Sequence, residues 1–170
     1  MKKKTLLFSL LAMFALVCAG GWYLLHQNQA QTVKAEARKT FIQSSRPTIF
    51  FHGWGSSSRV ERHMANAAKK AGVTQTIIEA KVAEDGTVTL KGTIPKDAVN
   101  PIVLVNFDNN RGASTQDQGN YAYAVVKALQ DTYGITEMNM VAHSYGNMAI
   151  VYYMLQHGSD TSLPLSLIHI

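Results

Sequence analysis

Short apolar runs alternate with helical segments along most of this chain, and no other feature constrains the fold as much. The clearest run is Ile102–Phe107, which is nearly all apolar, as a strand covered on both faces should be. Residues 47–51, 76–78 and 138–141 also have strand character, and amphipathic segments separate the runs. This order predicts an α/β fold, with a mostly parallel sheet flanked by helices. Neither a dinucleotide-binding G-x-G-x-x-G nor a phosphate loop is present.

Local signals predict how two of these elements begin and end. Asp85-Gly86 lies between two alternating runs and predicts a β-hairpin. A serine of the run Ser56-Ser57-Ser58 is expected to cap the first helix of the body, which should stop at Gly72. Helical spacing predicts that the apolar face of this helix comprises Val60, Met64, Ala67, Ala68 and Ala71.

A candidate nucleophile lies in the turn after the strand at 138–141. The turn has the pattern small-x-Ser-x-Gly, with Ala142, Ser144 and Gly146 as its defining residues. Such a turn is strained and lifts the serine hydroxyl above the carboxyl edge of the sheet, while small flanking residues let strand and helix approach. The Tyr145 backbone N–H then lies at a helix N-terminus, where it can face a developing oxyanion. The alternative is that Ser144 merely caps the helix.

A glycine-rich loop follows the strand at 47–51 and reads His52-Gly53-Trp54-Gly55. In a serine hydrolase with this order of elements, such a loop donates a second oxyanion N–H, and Gly53 lets the backbone approach the substrate. We expect the Trp54 amide to be the donor. The Trp54 ring is equally consistent with a substrate wall and with a cover for the core.

Histidines and polar residues near these motifs have plainer interpretations. His143 neighbours Ser144 on a strand, so it points away and is expected to be a packed, hydrogen-bonded core residue. His52 is expected to brace its loop rather than to transfer protons. Asp108 and Asn109 could contact substrate or cap a turn. No cluster of His, Cys, Asp or Glu has metal-ligand spacing, so we predict no metal and no cofactor.

Together these motifs resemble the α/β-hydrolase superfamily. The stretches 50–53, 100–109 and 133–147 are closest to a family of secreted or surface-anchored α/β-hydrolases of Gram-positive bacteria whose function is unknown. The resemblance runs from about Arg46 to Pro164. It implies the N-terminal half of an α/β-hydrolase fold and a Ser-His-acid mechanism, and it implies no particular substrate.

The N-terminal segment reads as a targeting signal. Lys2–Lys4 precede an uncharged apolar run over residues 6–25, so residues 1–27 are predicted to be a signal peptide or a membrane anchor, with 28–45 as a linker. The body would then be extracellular or at the cell surface.

The charge of the rest of the chain is nearly balanced. Of 16 Lys and Arg, three lie at positions 2–4, which leaves 13 against 11 Asp and Glu. The resulting net charge of +2 disfavours nucleic-acid binding. Cys18 is the single cysteine, which excludes a disulfide framework.

The acid and the histidine of a triad should follow the serine, in that order. After Ser144 the chain offers His157, Asp160 and His169, and the first two should be carried too far away by a helix. The sequence at 165–170 matches one reading frame of a common sequencing-transposon end, so we expect a truncated hydrolase domain over 46–164 and an adapter-derived tail. The alternative is a genuine apolar terminus or a further strand.

Three functions remain open from the sequence. The first is an extracytoplasmic serine hydrolase, an esterase or lipase-like enzyme for small ester or acyl substrates, attached to the membrane through its N-terminal segment. In that case the chain as given should be inactive. The second is a hydrolase-fold surface protein that binds without turnover. The third is another α/β fold in which the Ser-x-Gly turn is accidental.

Overall fold

The computed structural model describes residues 13–29, 31, 41–160 and 162, together with the backbone of 167–169. Residues 13–29 are helical and are called α1. The remaining elements, in chain order, are β1 Thr48–Phe51, α2 Arg59–Lys70, β2 Ile77–Val82, β3 Val88–Lys91, β4 Ile102–Phe107, α3 Thr115–Tyr133, β5 Asn139–Ala142, α4 Gly146–His157 and β6 Leu167–His169.

The strands form one sheet in the order β3-β2-β4-β1-β5-β6. All neighbours are parallel except β2 and β3, which form the antiparallel hairpin predicted at Asp85-Gly86. Gly86 has a φ of +86°, which its lack of a side chain permits in the tight turn. The predicted α/β class and the mostly parallel sheet are confirmed.

Helices cover both faces of this sheet. Alternate residues of β4 point to opposite sides: Ile102 and Leu104 pack with Ala65 of α2, whereas Val103 and Val105 join the larger cluster beneath α3 and α4. β4 is buried on both faces, which explains its continuous apolar sequence. The capping box of α3, in which Ser114 and Asp117 exchange hydrogen bonds, and the left-handed Gly134 at its end fix the length of that helix.

The predicted apolar face of α2 holds at Ala68, which packs against the core, but is wrong at Val60, Met64 and Ala67. Val60 and Met64 are 51% and 48% exposed, and the fully buried residues are Glu61 and Ala65. The helix buries a different face from the predicted one because the small side chain of Ala65 allows α2 to lie close to β4. The N-cap position of α2 is a serine as predicted, Ser58, but its hydroxyl donates to Glu79 on β2 rather than accepting from the first turn of α2.

The terminal segments bear on the targeting prediction. Within the described residues, no helix combines the length and apolar character that crossing a membrane requires. Residues 1–12 lie outside the described part, so the signal or anchor stays a prediction. Ile42 and Ser44, in the predicted linker, are hydrogen-bonded to the Asn100 side chain. β6 lies parallel to β5, and whether 165–170 derive from adapter sequence also stays a prediction.

Candidate functional site

The two predicted motifs meet because their strands are neighbours. β1 and β5 run parallel, with Phe51 opposite Ala142 at their carboxyl ends. The glycine loop, residues 52–55, leaves the end of β1, and the serine turn, residues 142–146, leaves the end of β5. The His143 amide donates to the Phe51 carbonyl at 3.1 Å, so the two segments are still tied together where the sheet ends.

The serine turn is strained and tightly packed. Ser144 has a φ of +54°, a left-handed conformation that is unfavourable for residues with a side chain, and its side chain is exposed. A Cβ on Gly146 would lie 2.5 Å from the Phe51 carbonyl oxygen and 2.7 Å from that of His52. Glycine is therefore required at 146, because the start of α4 passes directly over the end of β1.

The glycine loop lies against the serine. A Cβ on Gly53 would be 3.1 Å from the Ser144 Cβ and 3.2 Å from the His143 carbonyl oxygen. Among the described residues, neither the Trp54 nor the Tyr145 backbone N–H has an acceptor. Two amides without partners thus flank the exposed serine, as expected of donors that await a ligand. The catalytic roles of Ser144, Gly53, Trp54 and Tyr145 remain predictions.

His52 braces the base of the glycine loop. It is buried, with its Nδ1 2.9 Å from the Gly53 carbonyl oxygen, and its Nε2 accepts from the Phe107 amide at 3.0 Å. These partners require a neutral ring with the proton on Nδ1. Burial lowers the pKa of His52 against the opposing effects of the Gly53 hydrogen bond and of Glu61, which agrees with a neutral ring. The ring is therefore occupied on both nitrogens and positions the loop.

A second loop, residues 108–112 after β4, is hydrogen-bonded to the glycine loop and the residue that follows it. The Gly55 amide donates to the Asn110 carbonyl at 2.7 Å, and the Asn110 side chain donates to the Ser56 carbonyl at 2.7 Å. The indole N–H of Trp54 donates to the Arg111 carbonyl at 3.1 Å. Asn110 and Arg111 were not predicted from the sequence. The available signal was their position, since they follow a strand that ends at this edge.

A partly buried polar network holds the segment that joins the glycine loop to α2. The Ser58 amide donates to the Asn106 side chain, and the Ser58 hydroxyl and Arg62 both donate to Glu79 at 2.8 Å. Burial by itself raises the pKa of the Glu79 carboxyl, but the hydrogen bonds from Ser58 and Lys91 and the positive charges of Lys91 and Arg62 together outweigh it, and the pKa lies below its ordinary value. Glu79 is therefore a charged anchor for the start of α2.

The structure also shows the surroundings of the other residues singled out in the sequence near these two motifs. His143 is exposed, so the prediction of a packed core histidine is wrong: it lies one residue past the end of β5, beyond the cover of the sheet. Asp108 pairs with Lys81 at 2.9 Å, and Asn109 accepts from the Gly112 amide, which makes it a turn cap. Trp54 is 58% exposed, which excludes its role as a core cover in the described structure.

No described residue accepts a hydrogen bond from the Ser144 hydroxyl. The 12 residues of α4 carry the chain about 18 Å away from the serine turn. At its far end His157 stacks on Tyr123, and Asp160 accepts from the Ser162 hydroxyl at 2.6 Å. As predicted from the sequence, neither residue approaches Ser144.

The strand order, the helices on both faces and the strained serine turn after β5 define an α/β-hydrolase fold. The chain belongs to the family described as "Alpha/beta hydrolase of unknown function (DUF915)", whose model matches residues 35–167. The resemblance inferred from the sequence is thereby confirmed. No curated protein matches the chain.

Two solved structures are similar to this one. The lin2722 gene product of Listeria innocua has a TM-score of 0.66 and 27% identity, and the match covers 73% of this chain and 49% of that one. A protein described as "putative cell surface hydrolase from Lactobacillus plantarum WCFS1" has a TM-score of 0.62 and 20% identity, with 72% and 51% covered. The chain thus spans about half the length of both relatives.

Proposed function

We propose that the full-length protein is an extracytoplasmic serine hydrolase that cleaves ester or acyl substrates with Ser144 as its nucleophile. One observation carries the proposal: an exposed serine with a φ of +54° lies in contact range of a glycine loop whose Trp54 amide has no acceptor among the described residues. Buried helix-capping serines have no need of this strained geometry. Backbone strain of this kind persists only where the surrounding structure enforces it, and it is concentrated at active sites and ligand-binding sites.

The chemistry follows from this geometry. The Ser144 oxygen adds to the substrate carbonyl while its proton passes to a base, and the carbonyl oxygen becomes an oxyanion between the Trp54 and Tyr145 amides. The C–O bond to the alcohol then breaks, and the alcohol leaves with the proton from the base. Water hydrolyses the acyl-serine by the same route and regenerates the hydroxyl. Gly53 leaves room for the substrate beside the serine.

In this proposal the base and its acid come from sequence beyond residue 170. The support is that no described residue accepts from the Ser144 hydroxyl and that both solved relatives are about twice as long as the matched segment. A long sequencing read of the source DNA across the Pro164 codon tests this part. A continuing frame with an acid and then a histidine supports it. A genomic stop codon after residue 170 favours the alternative, a hydrolase-fold surface protein that binds without turnover.

Hydrolysis of p-nitrophenyl butyrate by the full-length protein tests the activity. Ser144→Ala should lower kcat at least about 1,000-fold, because the nucleophile has no substitute. Ser57→Ala, in the loop that leads into α2, is the matched control and should leave kcat within about twofold. An undiminished rate in Ser144→Ala would show that another residue performs the reaction.

We also propose that the body lies outside the cytoplasmic membrane, attached through residues 1–27 or released after cleavage. The support is the basic start, the apolar run and the description of one relative as a cell surface hydrolase. Protease treatment of intact cells tests the location: loss of the tagged body supports it, and full protection with a cytoplasmic marker contradicts it.

A further inference from the structure

Arg111 holds an oriented positive charge on the glycine loop. Its guanidinium carbon lies 5.0 Å from the centre of the Trp54 ring, within the range of a cation–π contact. A Cβ on Gly55 would lie 3.4 Å from both Nε and Nη2 of Arg111. The Arg111 carbonyl also accepts from the Trp54 indole, so the backbone of Arg111 is tied to the same ring on which its guanidinium packs.

The charge on Arg111 is not neutralised by the described part of the chain. No described carboxylate forms an ion pair with it, and the nearest acid on its own loop, Asp108, is paired with Lys81. The guanidinium is exposed, so its N–H groups remain available to a ligand. A positioned guanidinium without a partner is suited to bidentate binding of a carboxylate or a phosphate.

The distance to Ser144 fits a single substrate. A Cβ on Gly53 would lie 3.1 Å from the Ser144 Cβ, and a Cβ on Gly55 would lie 3.4 Å from Nη2 of Arg111. The two glycines are two residues apart in a turn in which the Ser56 amide donates to the Gly53 carbonyl, so they are separated by at most about 7 Å. The guanidinium therefore lies within roughly 14 Å of Ser144. An extended chain of about eight carbons, roughly 9 Å long, spans this distance once the contacts of about 3 Å at its two ends are included.

We propose that Arg111, with the exposed Trp54 ring beside it, selects ester substrates that carry an anionic group on the part bound along the glycine loop. This inference rests on the proposed function and names its substrate class: an ester with a carboxylate or a phosphate a few bonds from the scissile carbonyl. Trp54 contributes an apolar face to the intervening chain, and Arg111 binds the charge.

The test compares matched esters on the full-length protein. The anionic probes are p-nitrophenyl monoesters of glutaric and suberic acid, and their neutral partners carry a methyl ester at the other end. The readout is the anionic-to-neutral ratio of kcat/KM, because Arg111 also packs on the glycine loop and its loss affects both esters. Arg111→Ala should lower this ratio about tenfold, between the effects of an exposed ion pair and of a charge-assisted hydrogen bond, and Arg111→Lys should restore part of it.

A charge-matched control is Lys70→Ala, at the opposite end of α2, which should leave the ratio unchanged. An unchanged ratio in Arg111→Ala, or an equal fall in Lys70→Ala, overturns the inference and leaves the proposed function standing. A binding measurement covers the case in which no ester is hydrolysed. Suberate, but not dimethyl suberate, should change tryptophan fluorescence in a manner that Trp54→Phe abolishes and Arg111→Ala weakens about tenfold. Equal responses to both compounds also overturn it.

Discussion

Replacing Gly146 with alanine is the sharpest test of how the serine turn is packed, because the sign of the change in the free energy of unfolding distinguishes a crowded position from an open one. Gly146 has no positive φ, so replacing it with alanine at an open helix start would stabilise the fold by about 0.5–1 kcal/mol. Here the added Cβ would lie 2.5 and 2.7 Å from two carbonyl oxygens, against an ordinary C···O contact of about 3.3 Å. Both oxygens belong to the backbone at the end of β1, which cannot move without disturbing the sheet. We therefore expect Gly146→Ala to destabilise by about 3 kcal/mol, the upper range for overpacking.

Urea unfolding of the chain, followed by circular dichroism, gives the free energy of unfolding for each variant. The control is Gly134→Ala, where no atom lies within 4 Å of the added Cβ and the φ of +66° alone opposes the change. That variant should lose about 1 kcal/mol. If Gly146→Ala is as stable as wild type or more stable, the close crossing of α4 over β1 is refuted.

Three further outcomes follow from the same site. Ser144→Gly should raise the free energy of unfolding by about 0.5–1 kcal/mol by relieving the positive φ, whereas Ser57→Gly, which has no positive φ, should lower it; equal losses would argue against strain. Because burial lowers the pKa of His52, the unfolded chain binds a proton below about pH 6.5 that the folded state resists, so stability should fall from pH 7.5 to 5. His52→Gln should flatten that fall, and an unchanged slope would contradict it. Glu61→Met, which removes a buried carboxylate without a described partner, should stabilise by about 1 kcal/mol in thermal unfolding; a loss would reveal a favourable contact there.

The sequence predicted the parts of the site that depend on local chemistry. Ser144 and Gly146 were identifiable because a sharp strand-to-helix turn admits few residues at those positions. Gly53 could be placed beside them because carboxyl ends of parallel strands share an edge. The order β4-β1-β5 then brings the two loops together without any signal in the loops themselves.

The sequence was less informative about features that depend on packing between segments far apart in the chain. Val60 and Met64 carry the apolar period of α2, yet Ala65 faces the sheet because its small side chain permits close approach, and Glu61 is buried with it. Arg111 lies in a polar loop whose sequence has no motif that would single it out. Its contact with Trp54 depends on the end of β4 lying beside the end of β1, which only the assembled sheet determines.

The central claim is that Ser144 is an activated nucleophile, and covalent labelling tests it most directly. The full-length protein is incubated with a fluorophosphonate serine probe, and the modified residue is located by mass spectrometry, with Ser144→Ala and Ser57→Ala in parallel. The account predicts labelling at Ser144 that Ser144→Ala abolishes and Ser57→Ala retains. Equal labelling of Ser144→Ala and wild type would contradict it.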